Sequence, residues 1–516
     1  MASVIAVVRY VLNLLLNRLD SGKSYEPNFD VPPSPWSSSD SVVATATRQL
    51  GESEISYYLP SRGDGVNDMY LHLGFRAPPH LVSRERVRAV WSTLRARHPL
   101  LASRVVMRGY DDVRFEYVRR LPKDELAEAD VNLEFRTDSK DDLIDSYLNG
   151  PRTLSDNRLS YLIMSQNVHS PQNFDFLLCT THFIGDGMSL HQFANDFLHL
   201  LASDTTIDEL EAGLSSEWQK RVAQSPIGLP DALETSFPPE SQLRRAARDA
   251  EFRKKEERQI GGHAFSRRSS SSRHTVTRVV SFDAARTKAI LQQCKSHGVS
   301  VSAALFAICN VAWIRRTPSN AELPMLFYSA LNMRPYVPTR DSYWFLAVGY
   351  FNVILPNFLP AGEASAFWVR ARSAKEQSIR AAKSPLLISR TRRTAVERAQ
   401  RARVWAKEDD EKERGTFVPP PATGKSQPKG RAPSTALMGL SLLGNLDAMY
   451  KHTTFPKVEL HTLTTGSRQR HGSLLLFGYT FAGKLWISLG YDENGLDKEM
   501  VEDFWQQCLR AVDDFL

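Results

Sequence analysis

Three residues that could take part in a chemical reaction, His182, Asp186 and Gly187, lie within six positions of one another. The apolar run 174–179 precedes them and predicts a buried central strand. Gly185 and Gly187 flank Asp186 and favour a sharp turn, because glycine adopts backbone angles that other residues resist. A neutral imidazole beside such a turn can take a proton from a hydroxyl or an amine that attacks an acyl carbon. The spacing therefore predicts a general base at His182.

An amphipathic helix must follow the turn. Ser189 and Gln192 have the spacing of a capping box, which predicts that the helix begins there. The free backbone N–H groups near Gly187 could then stabilise a developing oxyanion. The apolar positions that recur at helical spacing are Leu190, Phe193, Ala194, Phe197, Leu198 and Leu201.

Asp186 has two possible roles in this loop. It could orient the imidazole, or it could turn away and form a buried ion pair that fixes the loop. A lone histidine at the end of a strand can also be an ordinary core or surface residue. The combination of His, Asp and Gly at these offsets, after a strand and before a helix, favours a functional site.

The hexapeptide 182–187 resembles the HxxxDG motif of the acyltransferase superfamily that includes peptide-synthetase condensation domains, BAHD-type acyltransferases and alcohol acetyltransferases. Thr181 stands where condensation domains carry the first of two adjacent histidines, and the Asp-Phe-Gly-Trp-Gly loop of BAHD enzymes has no counterpart. A condensation-like or alcohol-acetyltransferase-like enzyme therefore fits better than a strict BAHD member. Other segments that resemble the superfamily are 91–104, 284–313, 332–335, 348–352 and 441–445.

This resemblance implies an α/β chain with a two-lobed chloramphenicol-acetyltransferase-like fold. Each lobe would be a mixed β-sheet covered by helices, with the active-site channel between the lobes. The resemblance further implies that Asp186 pairs with an arginine of the second lobe, for which Arg334 is the candidate. Asn352 and Asn445 match weaker positions near the channel, where they would bind substrate or, equally, cap loops.

The activity implied is that of a CoA-dependent O-acyltransferase that moves a short or medium acyl group, such as acetyl, to a hydroxyl of a lipophilic secondary metabolite. An amine acceptor stays possible. Acyl-CoA would be a co-substrate, no cofactor or metal would be bound, and transfer would be direct, without an acyl-enzyme. The alternatives are a condensation-like or wax-ester-like enzyme with a carrier-bound or long-chain donor, and a noncatalytic binding member of the fold.

The composition agrees with a large catalyst of about two domains, since the 516 residues are 42% hydrophobic and 10% aromatic. Four cysteines without a close pair favour reduced thiols, a cytoplasmic location and no zinc site. The net charge of +7 would suit a phosphate-bearing acyl carrier, although the basic runs are typical of a solvated surface. No nucleic-acid-binding module accompanies them, which argues against nucleic acid as a partner. Small-molecule substrates and a monomer are expected.

The pattern of composition predicts the domain organisation. Residues 4–19 form an apolar run too short and interrupted to span a bilayer, so we expect an amphipathic helix that packs on the protein or makes peripheral membrane contact. The predicted divisions are an N-terminal segment 1–41, a first lobe 42–240, a flexible crossover linker 241–278 and a second lobe 279–516 with a disordered insert at about 390–435. A hairpin over 472–492 and a terminal helix are predicted near the end of the chain.

Overall fold

The structure is a computed structural model that describes residues 42–223, 228–270, 272–316, 322–338, 340–358, 363–419 and 432–516. The amphipathic helix predicted at 4–19 lies outside these ranges. Within them, no single helix has the length and apolar character needed to cross a bilayer, and only the bent pair Ala284–Ser296 and Val301–Arg316, at 91°, meets that test jointly.

Alternating and continuous apolar runs form the strands. They are β1 (Val42–Gln49), β2 (Met69–Arg76), β3 (Ser103–Gly109), β4 (Asp112–Arg120), β5 (Leu133–Arg136), β6 (Ser160–Gln166), β7 (Asn173–Thr180), β8 (Gly261–Gly262), β9 (Thr275–Phe282), β10 (Met325–Asn332), β11 (Val348–Leu355), β12 (Ser434–Asn445), β13 (Glu459–Ser467), β14 (Leu474–Phe481) and β15 (Lys484–Asp492).

Helices cover the faces of the sheets. They are α1 (Glu52–Ser61), α2 (Arg84–Arg97), α3 (Pro122–Val131), α4 (Lys140–Asn149), α5 (Gly187–Leu201), α6 (Ile207–Ala223), α7 (Leu233–Ser236), α8 (Gln242–Arg258), α9 (Ala284–Ser296), α10 (Val301–Arg316), α11 (Glu363–Ala382), α12 (Leu387–Glu413) and α13 (Lys498–Phe515).

The strands form two large mixed sheets and one small one. The sheet of the first lobe has the order β13-β2-β7-β6-β5, in which only β5 and β6 are parallel. The sheet of the second lobe has the order β11-β10-β12-β14-β15-β9, with β8 beside β12. Strands β1, β4 and β3 make a separate antiparallel sheet. The predicted α/β fold of two lobes, each a mixed sheet covered by helices, is confirmed.

Strand β13 crosses from the second half of the chain into the sheet of the first lobe. It pairs antiparallel with β2 from Glu459↔Arg76 to Ser467↔Met69. β2 is therefore paired on both sides, by β13 and by β7. This exchange could not be predicted from the sequence, because the pairing partner of a strand is not encoded in its local pattern.

The predicted disordered insert at 390–435 is wrong over its first part. Residues up to 413 belong to α12, a 27-residue helix that packs against α1. Its buried stripe of Ala395, Ala399, Ala402 and Ala406 has helical spacing and lets the two helices approach closely. Residues 420–431 lie outside the described ranges.

The predicted flexible linker at 241–278 also contains regular structure. Helix α8 occupies its first half, with Ser241 as the N-cap accepting a hydrogen bond from Arg244 N. Strand β8 and the first residues of β9 occupy part of the remainder. No residue of α8 is buried, which explains why its composition is that of a solvated segment.

The predicted elements near the end of the chain are confirmed. β14 and β15 form an antiparallel hairpin that turns at Ala482 and Gly483, both with positive φ, 51° and 70°. This pair of left-handed residues matches the turn to the twist of the strands. Helix α13 then buries an apolar stripe that includes Val501, Phe504 and Val512.

Candidate active site

The motif loop joins β7 to α5 at the end of the central strand of the first lobe. β7 is buried along most of its length because β2 and β6 flank it and helices cover the sheet. His182 follows that strand by two positions, and α5 begins at Gly187. The sequence therefore places the imidazole at a fixed point between two well-packed elements.

A single hydrogen bond sets the tautomer of His182. Its Nδ1 lies 3.0 Å from the carbonyl oxygen of Gly185. Because a carbonyl oxygen only accepts, Nδ1 carries the proton and donates it. Nε2 then carries a lone pair, the arrangement that a general base needs.

The surroundings of His182 favour its neutral form. Burial lowers the pKa of the imidazole below its ordinary value of 6.5, while the hydrogen bonds at its own loop and the charge of Asp186 act in the opposite direction. The residue as a whole is half-buried. Tyr57 of α1 stacks on it with ring centroids 4.1 Å apart and an interplanar angle of 23°.

Asp186 is the N-cap of α5. Its Oδ1 accepts hydrogen bonds from Met188 N at 3.0 Å and from Ser189 N at 3.3 Å. The predicted capping box of Ser189 and Gln192 is therefore wrong, because the N-cap lies three residues earlier, at this aspartate. The carboxylate satisfies two of the N–H groups that the first turn leaves open.

The same carboxylate joins the two lobes through Arg334. Arg334 Nη1 donates to Asp186 Oδ1 at 2.8 Å and to Oδ2 at 2.9 Å, and the backbone N–H of Ala347 donates to Oδ2 at 2.8 Å. The side chains of Asp186 and Arg334 are only 5% and 19% exposed. Of the two roles open to Asp186, the geometry is that of a buried ion pair.

Arg334 is itself held by several acceptors. It follows β10, and its Nη2 donates to Ser189 Oγ at 2.5 Å and to the carbonyl of Phe345 at 2.8 Å. Its guanidinium carbon also lies 5.0 Å from the centroid of the Phe345 ring. These contacts desolvate the pair but satisfy its polar atoms, which is the condition for a buried ion pair to hold a structure.

The glycines of the motif occupy crowded positions. A Cβ atom at Gly185 would lie 3.1 Å from Trp344 Nε1, and one at Gly187 would lie 3.3 Å from Leu443 Cδ2. Both neighbours would have to move to admit a side chain. Gly187 is the first residue of α5, so its N–H belongs to the open first turn; its role at an oxyanion stays a prediction.

Within the described ranges, no hydrogen bond joins the two predicted asparagines to this loop. Asn352 is half-buried in β11 opposite Tyr328, two residues from Tyr350 and hence on the same face of the strand. Asn445 is exposed, and its Oδ1 accepts hydrogen bonds from Asp447 N at 3.1 Å and Thr480 Oγ1 at 3.3 Å. The geometry of Asn445 is that of the loop cap that was its alternative.

Three residues beside His182 were missed by the sequence analysis. The hydroxyl groups of Tyr57 and Tyr350 are hydrogen-bonded to each other, and Arg398 of α12 lies over both rings. A small cavity is lined by these three side chains. They come from α1, β11 and α12, so only the fold brings them together. The described ranges contain no group of three or more His, Cys, Asp or Glu residues that could hold a metal ion.

Comparison with known proteins gives structural matches only. No family model matches the chain, and no curated protein matches its sequence. TRI3 trichothecene 15-O-acetyltransferase from Fusarium sporotrichioides is similar over 91% of this chain and 94% of its own, with 13% identity and a TM-score of 0.71. Polyketide synthase associated protein 5 from Mycobacterium tuberculosis is similar over 91% and 98%, with 12% identity and a TM-score of 0.56.

The condensation domain of the monacolin K polyketide synthase MokA is similar over 92% of this chain and 98% of its own, with 12% identity and a TM-score of 0.55. The chain thus has the fold of the condensation-domain-like acyltransferases, as the resemblance of the HxxxDG motif implies.

Proposed function

We propose that this protein is an acyltransferase that moves a short or medium acyl group from coenzyme A to a hydroxyl of a lipophilic small molecule, with His182 as the general base. The observation that carries the proposal is the tautomer of His182. Its Nδ1 proton is engaged by the Gly185 carbonyl, its pKa is lowered by burial, and its Nε2 is left as the basic nitrogen.

The reaction needs only the groups of this loop and the two substrates. Nε2 of His182 removes the proton of the acceptor hydroxyl as the oxygen attacks the thioester carbonyl. The tetrahedral intermediate then collapses, the carbon–sulfur bond breaks, and the imidazolium returns the proton to the departing thiolate. The products are an ester and free coenzyme A, and no acyl-enzyme is formed.

The contacts that restrict the imidazole ring of His182 support this mechanism. The hydrogen bond to the Gly185 carbonyl holds the ring and stabilises the imidazolium that forms during the reaction. Tyr57 restricts the ring from one face by stacking. The Asp186–Arg334 pair fixes the start of α5, where the N–H of Gly187 is proposed to face the developing oxyanion.

The likeness to condensation domains favours a second candidate. The donor could be an acyl group on a carrier protein or a long-chain acyl group, and the acceptor could be an amine. Thr181 favours a coenzyme A donor, because it replaces the first of the two adjacent histidines that those domains carry. The protein is proposed to act in the cytoplasm on small molecules.

The test is a mass-spectrometric screen of the wild-type protein and His182→Ala. Acetyl-CoA, butyryl-CoA and octanoyl-CoA are each incubated with pooled lipophilic alcohols, and His169→Ala serves as the control because His169 is exposed in a distant turn. We expect ester products from the wild type and the control, and a rate at least ~100-fold lower for His182→Ala.

Other results of this screen would favour one of the alternative functions or refute the proposed mechanism. Products that appear only with acyl groups loaded on a carrier protein would favour the condensation-like reading. Transfer at an undiminished rate by His182→Ala would eliminate the general base and with it the proposed mechanism. Binding of acceptor or donor by both proteins without any transfer would favour a noncatalytic member of the fold.

A further inference from the structure

Helix α12 brings one arginine against the tyrosines beside the candidate base. The guanidinium carbon of Arg398 lies 5.2 Å from the ring centroid of Tyr57 and 4.5 Å from that of Tyr350. The ring of Tyr57 is the one that stacks on His182 at 4.1 Å. The guanidinium and the imidazole therefore contact the same aromatic ring, and the positive charge of Arg398 is near enough to contribute to lowering the pKa of His182, after burial.

Arg398 has no anionic partner among the described residues. No hydrogen bond or ion pair joins its guanidinium to a carboxylate or a carbonyl within those ranges. Arg403, five residues further along α12, pairs with Glu52 at 2.7 Å and with Asp111 at 2.9 Å. Helix α12 thus neutralises Arg403 with protein carboxylates, whereas Arg398 has none within the described ranges.

The environment of Arg398 increases the energetic cost of lacking an anionic partner. The residue is half-buried, and its guanidinium lies against two aromatic rings. A partly desolvated cation loses hydration, and aromatic faces restore only part of the lost free energy. A carboxylate of a ligand would restore the rest of the lost hydration free energy, because guanidinium and carboxylate match in geometry as well as in charge.

A cavity lies at this point. Its walls include Ser53, Tyr57, Val348, Tyr350, Thr394 and Arg398. The free space is about 10 Å³, the room of a single water molecule. Arg398 forms part of the wall, so a change of rotamer in this long side chain would enlarge the space.

We propose that Arg398 is a specificity-determining residue that binds a carboxylate of the substrate beside His182, a reading that rests on the proposed acyltransferase function. The carboxylate belongs either to the acceptor or to a dicarboxylic acyl group on the donor. In both cases Arg398 holds the charged end while the reacting atom lies at Nε2 of His182. The acceptor is then amphiphilic, with an apolar body and an acidic end.

The experiment measures equilibrium binding by calorimetry with matched probes. For the acceptor, 6-hydroxyhexanoate is compared with its methyl ester; for the donor, malonyl-CoA is compared with acetyl-CoA. The proteins are the wild type, Arg398→Met, Arg398→Lys and the control Arg401→Met, since Arg401 is on the same helix but exposed and paired with Glu397. Thermal melting checks that each variant is folded.

We expect the wild type to bind the carboxylate member of one pair at least ~10-fold more tightly than its neutral analogue. Arg398→Met should lose that preference, Arg398→Lys should keep part of it, and Arg401→Met should keep it whole. The pair that shows the effect identifies whether the carboxylate belongs to acceptor or donor. Equal affinities within both pairs for the wild type, or a preference that survives in Arg398→Met, would overturn the proposal.

These outcomes are independent of the acyl-transfer assay. Transfer that depends on His182 without any preference for a carboxylate would leave the proposed function standing and refute the role of Arg398. A preference that depends on Arg398 in a protein without transferase activity would support the anion subsite and count against the proposed function. If Arg398→Met does not fold, equal affinities in the wild type still refute the proposal, and Arg398→Lys tests whether a preference depends on this side chain.

Discussion

Asp186 and Arg334 lie 148 residues apart in the sequence, yet their side chains form a bidentate contact at 2.8 and 2.9 Å. The aspartate also caps α5 and accepts from Ala347 N, so one carboxylate fixes the helix start, the motif loop and a strand connection of the second lobe. Within the described ranges, the hydrogen bonds of this carboxylate go to the loop backbone, to Ala347 and to Arg334, and none goes to the imidazole of His182.

Replacing Asp186 should damage stability together with activity. Asp186→Ala leaves the guanidinium of Arg334 buried without a counter-charge, which should cost about 3 to 5 kcal/mol in the free energy of unfolding. Urea denaturation measures this loss, and Asp186→Asn, which keeps an oxygen for the cap, should lose less. Lost activity with an unchanged free energy of unfolding would show that the aspartate acts in the chemistry itself.

The activity should depend on pH through His182. Burial lowers the pKa of this imidazole below 6.5, and only the neutral form can accept a proton. We expect kcat/KM to be constant above neutral pH and to fall as the pH drops through the lowered pKa. Rates at constant ionic strength give the midpoint, and a midpoint above 7 would contradict a desolvated, neutral base.

His191 should make the fold sensitive to acid. Burial lowers its pKa to about 3, and its Nδ1 hydrogen-bonds to the hydroxyl of Tyr450 at 3.0 Å. Because the unfolded chain takes up this proton near pH 6.5 and the folded chain does not, the contribution to stability is complete above that pH. It is lost as the pH falls toward 3, by about 1.4 kcal/mol per pH unit.

His191→Gln tests this contribution, because glutamine keeps a hydrogen-bonding group and does not titrate. Denaturant unfolding between pH 7 and pH 4.5 should show a shallower loss of stability for the variant than for the wild type. Parallel curves would show that His191 is not the group that titrates.

The interface of α1 and α12 should not tolerate a larger side chain. Ala399 is fully buried in the alanine stripe of α12, so Ala399→Leu should cost about 1 to 3 kcal/mol through overpacking. Gln400→Leu is the matched control, since Gln400 is exposed on the same helix. Thermal and urea unfolding measure both changes, and equal effects would mean that helix propensity, not packing, determines them.

The motif and its surroundings could be predicted because their signals are local. The strand before His182, the hairpin over 474–492 and the terminal helix each show their own hydrophobic period. The start of α5 was predicted at the wrong residue, because Ser189 and Asp186 are both good N-caps and only the backbone path decides between them.

The long helix α12 could not be predicted from hydrophobicity. Its core contact uses alanines within a strongly charged sequence, and alanine gives a weak apolar signal. A search for alanine at helical spacing would have found the stripe at 395, 399, 402 and 406. The contacts of Tyr57, Tyr350 and Arg398 could not have been found in this way, since they depend on how three distant elements pack.

The exchange of β13 makes the two lobes mutually dependent. A fragment ending near residue 240 would lack the strand that completes the sheet beside Met69–Arg76. Its β2 would present a row of unsatisfied backbone groups, a template for self-association. The two lobes therefore form one cooperative folding unit, which is complete only when the late-synthesised strand β13 has joined the first sheet. Truncation between the lobes should give insoluble fragments.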